Sequence, residues 1–194
     1  MARKSIDLIY RTPAEWVDTA LSDFDHFLID HANCERKASA LAMSFVVRYP
    51  DKLKIIPQLI DLAKEELEHF EEAYLLMQSR GLQLTKDEQD PYVNRLLKHA
   101  RNGLHERFID RMLIASIVES RGAERFGLVA EHHPEDEIRS FYDRLYKAEL
   151  KHAHVFAKML LEYVDEDTVY NRLYELNEIE SEIVQELPWR AALH

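Results

Sequence analysis

The chain has 194 residues, only four glycines, and a formal charge of −11. Scarce glycine beside abundant Ala, Leu, Glu, Lys and Arg is the usage of long helices, which excludes a turn-rich sheet protein, and the length suits one domain over residues 1–194. A single cysteine, Cys34, excludes an intrachain disulfide and any cysteine-built metal module such as a rubredoxin-type iron centre; it reads as a small packed residue.

In chain order, Thr12-Pro13-Ala14-Glu15 is a capping box with proline at the first helical position, which predicts a short helix ahead of Trp16 and Leu21. Ser22 is the expected cap of the first long helix, which carries Phe24, Phe27, Leu28, His31, Glu35, Ala38, Ala42 and Phe45 on one face and stops at Tyr49-Pro50. A second long helix is expected from about Asp51 to Arg80, closed by Gly81, with Pro57 as a kink near its start. Leu82 to Gly103 is a crossover containing a short helix bracketed by Asp90-Pro91 and Asn102-Gly103. A third long helix follows from Leu104 to Glu131, a turn at His132-His133-Pro134, a fourth from Pro134 to about Val164, and a last amphipathic helix from Asp167 to Leu187. The expected fold is all-α: a ferritin-like four-helix bundle with one long crossover, plus flanking N- and C-terminal helices.

One pattern occurs twice. Glu35 precedes Glu66-x-x-His69, and Glu119 precedes Glu149-x-x-His152; the copies are offset by 84 and 83 residues. Residues three apart share a helix face, so each Glu-x-x-His can aim a carboxylate and an imidazole at one ion, with Glu35 and Glu119 arriving from the other two helices to bridge. Four glutamates and two neutral imidazoles balance two divalent cations, which answers the cost of burying carboxylates. The expected metal ligands are therefore Glu35, Glu66, His69, Glu119, Glu149 and His152. Carboxylate with imidazole and no thiolate favours iron or manganese, and iron is preferred because two ferrous ions can reduce dioxygen together. Glu65, Glu68, Glu71 and Glu72 read as a solvated face.

His31 lies one turn before Glu35 and reads as a hydrogen-bonded core or pocket histidine, with an extra ligand as the alternative. Tyr142 and Tyr146 read as core tyrosines within reach of Glu149. His26, His99, His105, His132, His133 and His154 read as surface residues. The net charge argues against a nucleic-acid partner, but two divalent cations would bring it to about −7, so partners are better judged from local charge.

Three segments around the ligands carry a resemblance. His31-Ala32-Asn33-Cys34-Glu35-Arg36-Lys37-Ala38-Ser39-Ala40, Glu65-Glu66-Leu67-Glu68-His69-Phe70 and Glu119-Ser120-Arg121-Gly122-Ala123-Glu124-Arg125-Phe126 look like the bacterial tRNA hydroxylases that act on 2-methylthio-N6-isopentenyladenosine. The likeness extends through Glu149-Leu150-Lys151-His152, and all six ligand positions of the family pattern are filled. It implies an oxygen-dependent monooxygenase that hydroxylates the isopentenyl group at position 37 of tRNA. Two iron ions would be held by the six residues above, dioxygen would be co-substrate, and electrons would come from an external electron donor, an unidentified redox partner, since no flavin, nicotinamide or iron–sulfur motif is present.

An anticodon loop is single-stranded, so its base can be splayed into a pocket while phosphates are held by basic side chains. Candidates for tRNA contact are Arg80, Lys86, Lys98, Arg101, Arg107 and Arg111, with a solvated helix face as the alternative. Arg36, Lys37, Arg121 and Arg125 recur beside the ligand glutamates and either line the pocket mouth or pair with neighbouring acids. No apolar stretch approaches the roughly eighteen residues of a membrane span, so a cytoplasmic protein without a membrane partner is expected, as a monomer or small oligomer. Ferritin- or bacterioferritin-like iron storage, a rubrerythrin-like peroxidase, and a non-catalytic RNA-binding bundle with a structural metal are the competing readings.

Overall fold

A computed structural model describes residues 7–86 and 89–194. Among these the chain forms seven α-helices and no strand: α1 (Trp16–Ser22), α2 (Phe24–Arg48), α3 (Ile56–Ser79), α4 (Pro91–Leu97), α5 (Leu104–His132), α6 (Asp136–Leu160) and α7 (Glu166–Glu186). The all-α expectation holds, and a long pair, a crossover with a short helix, a second long pair and a flanking helix is the element order of a ferritin-like chain. None of the helices is long and apolar enough to cross a membrane, among the described residues. Contacts divide the chain into two compact units, one of residues 19–86 with 191–193 and one of residues 7–18, 89–190 and 194, with the boundary inside α1.

In the α2–α3 unit, α1 runs on through Ser22, whose hydroxyl donates to Thr19 O, so the break falls one residue later than expected and Asp23 caps α2 by accepting from His26 N. Pro57 sits in the first turn of α3, where its missing N–H costs nothing; it opens the helix rather than kinking it, and residues 51–55 form turns instead of helix. Gly81 closes α3 at φ 74°, a left-handed conformation that a side chain would strain. Helices α2 and α3 pack together and bury Phe27, Leu28, Phe45, Leu59, Leu62 and Met77. Each contributes roughly 1.5–3 kcal/mol relative to exposure. Residues 191–193 are pinned to α2, with Leu193 N donating to Asp30 Oδ2 and Ala191 O lying 2.9 Å from His26 Nδ1.

In the other unit α5 packs on α6, and α7 on α4 and α5. Thr12 does not serve as the expected cap. Its hydroxyl donates to Glu124 Oε2 at 2.7 Å and accepts from Arg121, a stronger claim than a local turn makes, and the helix begins only at Trp16. Helix α6 starts at Asp136, two residues later than expected, because His133 is drawn inward and its Nδ1 accepts from Glu135 N. His133 is thus buried, against the expectation of a surface residue.

Two ionic clusters organise this unit. Asp110, fully buried on α5, accepts from the backbone N–H and guanidinium of Arg101 and from the guanidinium of Arg172 on α7. Burial pushes its carboxyl up, but Arg172 and Arg101 outweigh this and hold it below the usual range. Deeper in, Arg121 donates to both oxygens of Glu180 at 2.9 and 3.0 Å, to Thr12 Oγ1, to Tyr10 O and to Glu124, while Tyr92 donates its hydroxyl to Glu180.

At the start of α4, Asp90 caps the helix through Tyr92 N and Val93 N and lies 3.2 Å from His194 Nδ1. Burial pushes the Asp90 carboxyl up, but the His194 ring and the two N–H groups overcome it and hold it at about 2. A carboxyl lowered in the folded state contributes stability above its unfolded value near 4, and that contribution is lost as pH falls through about 2. Asp90→Asn is expected to cost about 2 kcal/mol near neutral pH and to flatten the loss of stability between about pH 4 and pH 2. Urea unfolding at stepped pH measures both; an acid limb as steep as the native one refutes the assignment.

Candidate metal centre

Each helix pair carries one copy of the repeated pattern. Glu35 leaves the middle of α2, and Glu66 and His69 stand one turn apart on α3; Glu119 lies on α5, and Glu149 and His152 stand one turn apart on α6. The helices of each pair approach closely at this level because a serine hydroxyl crosses between them: Ser39 donates to Ala63 O at 2.7 Å, and Ser116 donates to Ala153 O. Ala63 is three residues before Glu66 and Ala153 one after His152, so the same contacts that join the helices fix the height of the ligand turns.

In the α2–α3 unit the three expected ligands come together. His69 Nδ1 lies 3.6 Å from Glu66 Oε2 and 3.7 Å from Glu35 Oε2. The other oxygen of Glu35 is 2.8 Å from His31 Nε2, and His31 is fully buried. With the proton on Nε2, His31 donates to Oε1 and orients the Glu35 carboxylate, which leaves Oε2 turned toward His69. This is the hydrogen-bonded histidine of the sequence reading, and it gives His31 a positioning role. Glu66 is 1% exposed and Glu35 4%, whereas Glu65, Glu68, Glu71 and Glu72 are exposed, so the helical register separates the two sets as expected.

In the α5–α6 unit Glu149 Oε2 lies 3.0 Å from His152 Nδ1, and each residue is 2% exposed. Glu119 is half-buried on the helix that packs against α6. Tyr142 is fully buried among aromatic rings, with Phe126 at 5.4 Å and Phe141 at 5.0 Å. Tyr146 is half-buried and lines a surface groove with Leu8, Glu124, Gly127 and Leu150.

Buried carboxylates paired with imidazoles one helical turn apart are a donor set for a hard or borderline divalent cation, and the residues fit iron. No lysine or arginine belongs to either set. An ion there would supply the positive charge that buried carboxylates need.

The basic residues proposed for tRNA contact are placed unevenly. Lys86, Lys98 and Arg107 are exposed, with Arg107 donating to Asn102 Oδ1, and Arg111 is half-buried. Arg80 pairs with Asp25 at 3.0 Å and Arg101 with buried Asp110 at 2.7 Å, so both guanidiniums also hold the fold. Arg121 pairs with acids rather than lining a pocket mouth. Arg125 is buried with its guanidinium over the Trp16 ring at 4.7 Å, and burial together with the charge of Arg121 pulls it down to about 10. Sequence reasoning missed Glu180 and Asp110: Glu180 interrupts the apolar run of Leu173, Leu176 and Ile183 on α7, which was the available signal, whereas Asp110, between Arg107 and Arg111, read as part of a solvated face.

A profile of the tRNA-(MS[2]IO[6]A)-hydroxylase (MiaE) family matches residues 2–194. The chain is 33% identical over 174 residues to a Pseudomonas putida protein, tRNA 2-(methylsulfanyl)-N(6)-isopentenyladenosine(37) hydroxylase, covering 90% of this chain and 84% of that one. A Salmonella typhimurium protein of the same name is 28% identical over 131 residues, 68% of this chain and 48% of its own. Among solved structures, one described as Protein 43 with aldehyde deformylating oxygenase activity, from Synechococcus, superposes with a TM-score of 0.91 at 32% identity, over 96% of this chain and 94% of that one. With its whole described length inside the matched range, the chain belongs to the tRNA-(MS[2]IO[6]A)-hydroxylase (MiaE) family.

Proposed function

We propose that the chain is a non-haem di-iron monooxygenase that hydroxylates the isopentenyl group of 2-methylthio-N6-isopentenyladenosine at position 37 of tRNA, with residues 1–194 working as one di-iron domain. The observation that carries this is the pair of Glu-x-x-His turns with buried carboxylates, 3.6 and 3.0 Å between carboxylate and imidazole, inside a chain that matches the hydroxylase family over residues 2–194. Glu35, Glu66 and His69 from one helix pair and Glu119, Glu149 and His152 from the other would hold the two irons. Bound iron supplies the reduction of dioxygen and the oxidation of an allylic C–H, with electrons from an external donor.

The protein's own residues set the geometry. His31 fixes the Glu35 carboxylate through Oε1, and the serine cross-links at Ala63 and Ala153 hold the ligand turns in register. Glu35, Glu66 and Glu149 are each buried, which keeps water from their charges. Lys86, Lys98, Arg107 and Arg111, together with the paired guanidiniums of Arg80 and Arg101, provide phosphate contacts for the anticodon loop.

A second reading is favoured by one specific observation. The aldehyde deformylating oxygenase structure is 32% identical over 96% of the chain, against 33% over 90% for the tRNA hydroxylase. Identity alone therefore does not separate an RNA-borne prenyl group from a free aldehyde. The iron-loaded chain, given dioxygen and a chemical reductant, is expected to add one oxygen to 2-methylthio-isopentenyladenosine in tRNA, read by mass spectrometry of a nucleoside digest. Unchanged nucleoside, with a long-chain aldehyde shortened by one carbon under the same conditions, would overturn the tRNA assignment in favour of the aldehyde.

A further inference from the structure

A second cavity lies in the α5–α6 unit, away from the ligand turns. It encloses about 180 Å³ and is lined chiefly by Trp16, Tyr92, Arg125, Trp189, Arg190 and His194. Along α5, Arg125 is six residues from Glu119, about 9 Å of helical rise and on a different face. Its chemistry is unusual for a chain of net charge −11: no aspartate or glutamate side chain lines it, and it carries two guanidiniums, Arg125 and Arg190, the latter donating to His194 O at 3.4 Å. Arg125 lies over the Trp16 ring, and the His194 ring stacks on Tyr92 at 5.1 Å with 10° between planes. The His194 side chain is 6% exposed; Nδ1 faces Asp90, and Nε2 has no hydrogen-bond partner among the described residues. At the rim, Trp189 is 45% exposed and Arg190 half-exposed.

We propose that this cavity binds one nucleotide by stacking its base against the exposed Trp189 ring, with acceptors of the base facing Arg125 and His194 Nε2 and the phosphate on Arg190. The proposal rests on the reading that the chain acts on RNA, and it assigns the cavity to a base of the RNA other than the one that is hydroxylated. Size supports a single flat ring: the volume is below the roughly 300–1,000 Å³ of sites that enclose a whole drug-sized ligand, so sugar and phosphate stay outside. Aromatic faces with an adjacent guanidinium are the means by which proteins hold unpaired bases without reading their sequence. Phosphate then prefers the cationic rim.

Both tryptophans of the chain line this cavity, so intrinsic tryptophan emission reports on it directly. The full-length, iron-loaded protein is titrated with adenosine 5′-monophosphate, with ribose 5-phosphate, and with an unmodified anticodon stem-loop. Saturable change with the nucleotide and the stem-loop, but not with ribose 5-phosphate, is expected. Trp189→Ala should weaken binding about fivefold or more while Trp189→Phe retains it, the remaining Trp16 serving as reporter. Arg190→Ala, at the rim where folding is not at stake, should weaken binding and reduce its salt dependence.

No emission change with either ligand, equal response to ribose 5-phosphate, or native affinity in both Trp189→Ala and Arg190→Ala overturns the proposal. A stem-loop that displaces the mononucleotide supports the RNA as the source; failure to displace it overturns that source. The titration needs no turnover. A chain that hydroxylates tRNA but shows no response loses only the cavity, and one that responds without hydroxylating keeps the cavity and loses only the activity.

Discussion

The native chain, reconstituted with ferrous iron in the absence of air, is expected to hold about two irons, and Glu66→Ala and His152→Ala chains treated alike are expected to hold clearly fewer. Glu66 is 1% exposed and His152 2%, so neither can be replaced by water at the surface without opening the helix pair that holds it. The loss of hydroxylation should exceed the roughly 10–100-fold that removing a residue behind a metal ligand costs, because here the donor atom itself is gone. A second readout does not depend on turnover. Iron binding to the folded state alone raises stability, by about 2.7 kcal/mol at a hundredfold excess over Kd, so iron should raise the melting temperature of the native chain and do so less in the two variants. Glu65→Ala and Glu68→Ala are the register controls: both side chains are exposed, and both variants should keep full iron and the full thermal shift. Native iron content in Glu66→Ala, or lost iron in Glu65→Ala, would falsify the ligand set.

The candidate site was legible because it breaks a rule twice in the same way. Glu35, Glu66 and Glu149 occupy positions where the 3.6-residue period calls for apolar side chains, and a buried acid with a histidine one turn away has few explanations other than a cation. Helix order was equally readable, since Asp90-Pro91, Tyr49-Pro50 and Gly81 are local signals whose effect does not wait for the tertiary fold. The errors came where local signals compete. Ser22 and Asp23 are adjacent and both cap well, and how far α1 persists decides between them. Thr12 and Glu15 spell a capping box, yet Glu124 and Arg121, more than a hundred residues away, claim the threonine hydroxyl. His133 looked like a turn residue and is one, but its ring is buried because it accepts from the N–H of Glu135. The aromatic cavity was invisible for the same reason: Trp16, Tyr92, Arg125 and Trp189 have no common period and meet only through the fold.

Glu180→Ala is expected to be the most destabilising single substitution outside the metal centre. Glu180 is fully buried on α7 and accepts two bonds from Arg121 and one from the Tyr92 hydroxyl, joining α7 to α5 and α4. Removing it leaves a buried guanidinium that keeps Glu124, Thr12 and Tyr10 O but loses its fully buried anionic partner. Breaking a buried pair from one side costs about 3–5 kcal/mol, far above the 0–1 kcal/mol of an exposed pair such as Lys64–Asp61. At about 2–4 °C per kcal/mol for a chain of this length, the melting temperature should fall by roughly 6–20 °C. Glu180→Gln should lose less, since an amide oxygen in the Oε1 position still accepts from Tyr92 and Arg121 Nε, although the charge and the bond from Arg121 Nη2 to Oε2 are lost. The double variant Arg121→Met with Glu180→Leu should recover much of the loss, because it removes the stranded charge along with its partner. Thermal unfolding of the three variants separates the terms. A Glu180→Ala chain melting within about 2 °C of native would mean that Glu124 alone neutralises Arg121, and a double variant no more stable than Glu180→Ala would mean that lost packing, not a stranded charge, sets the cost.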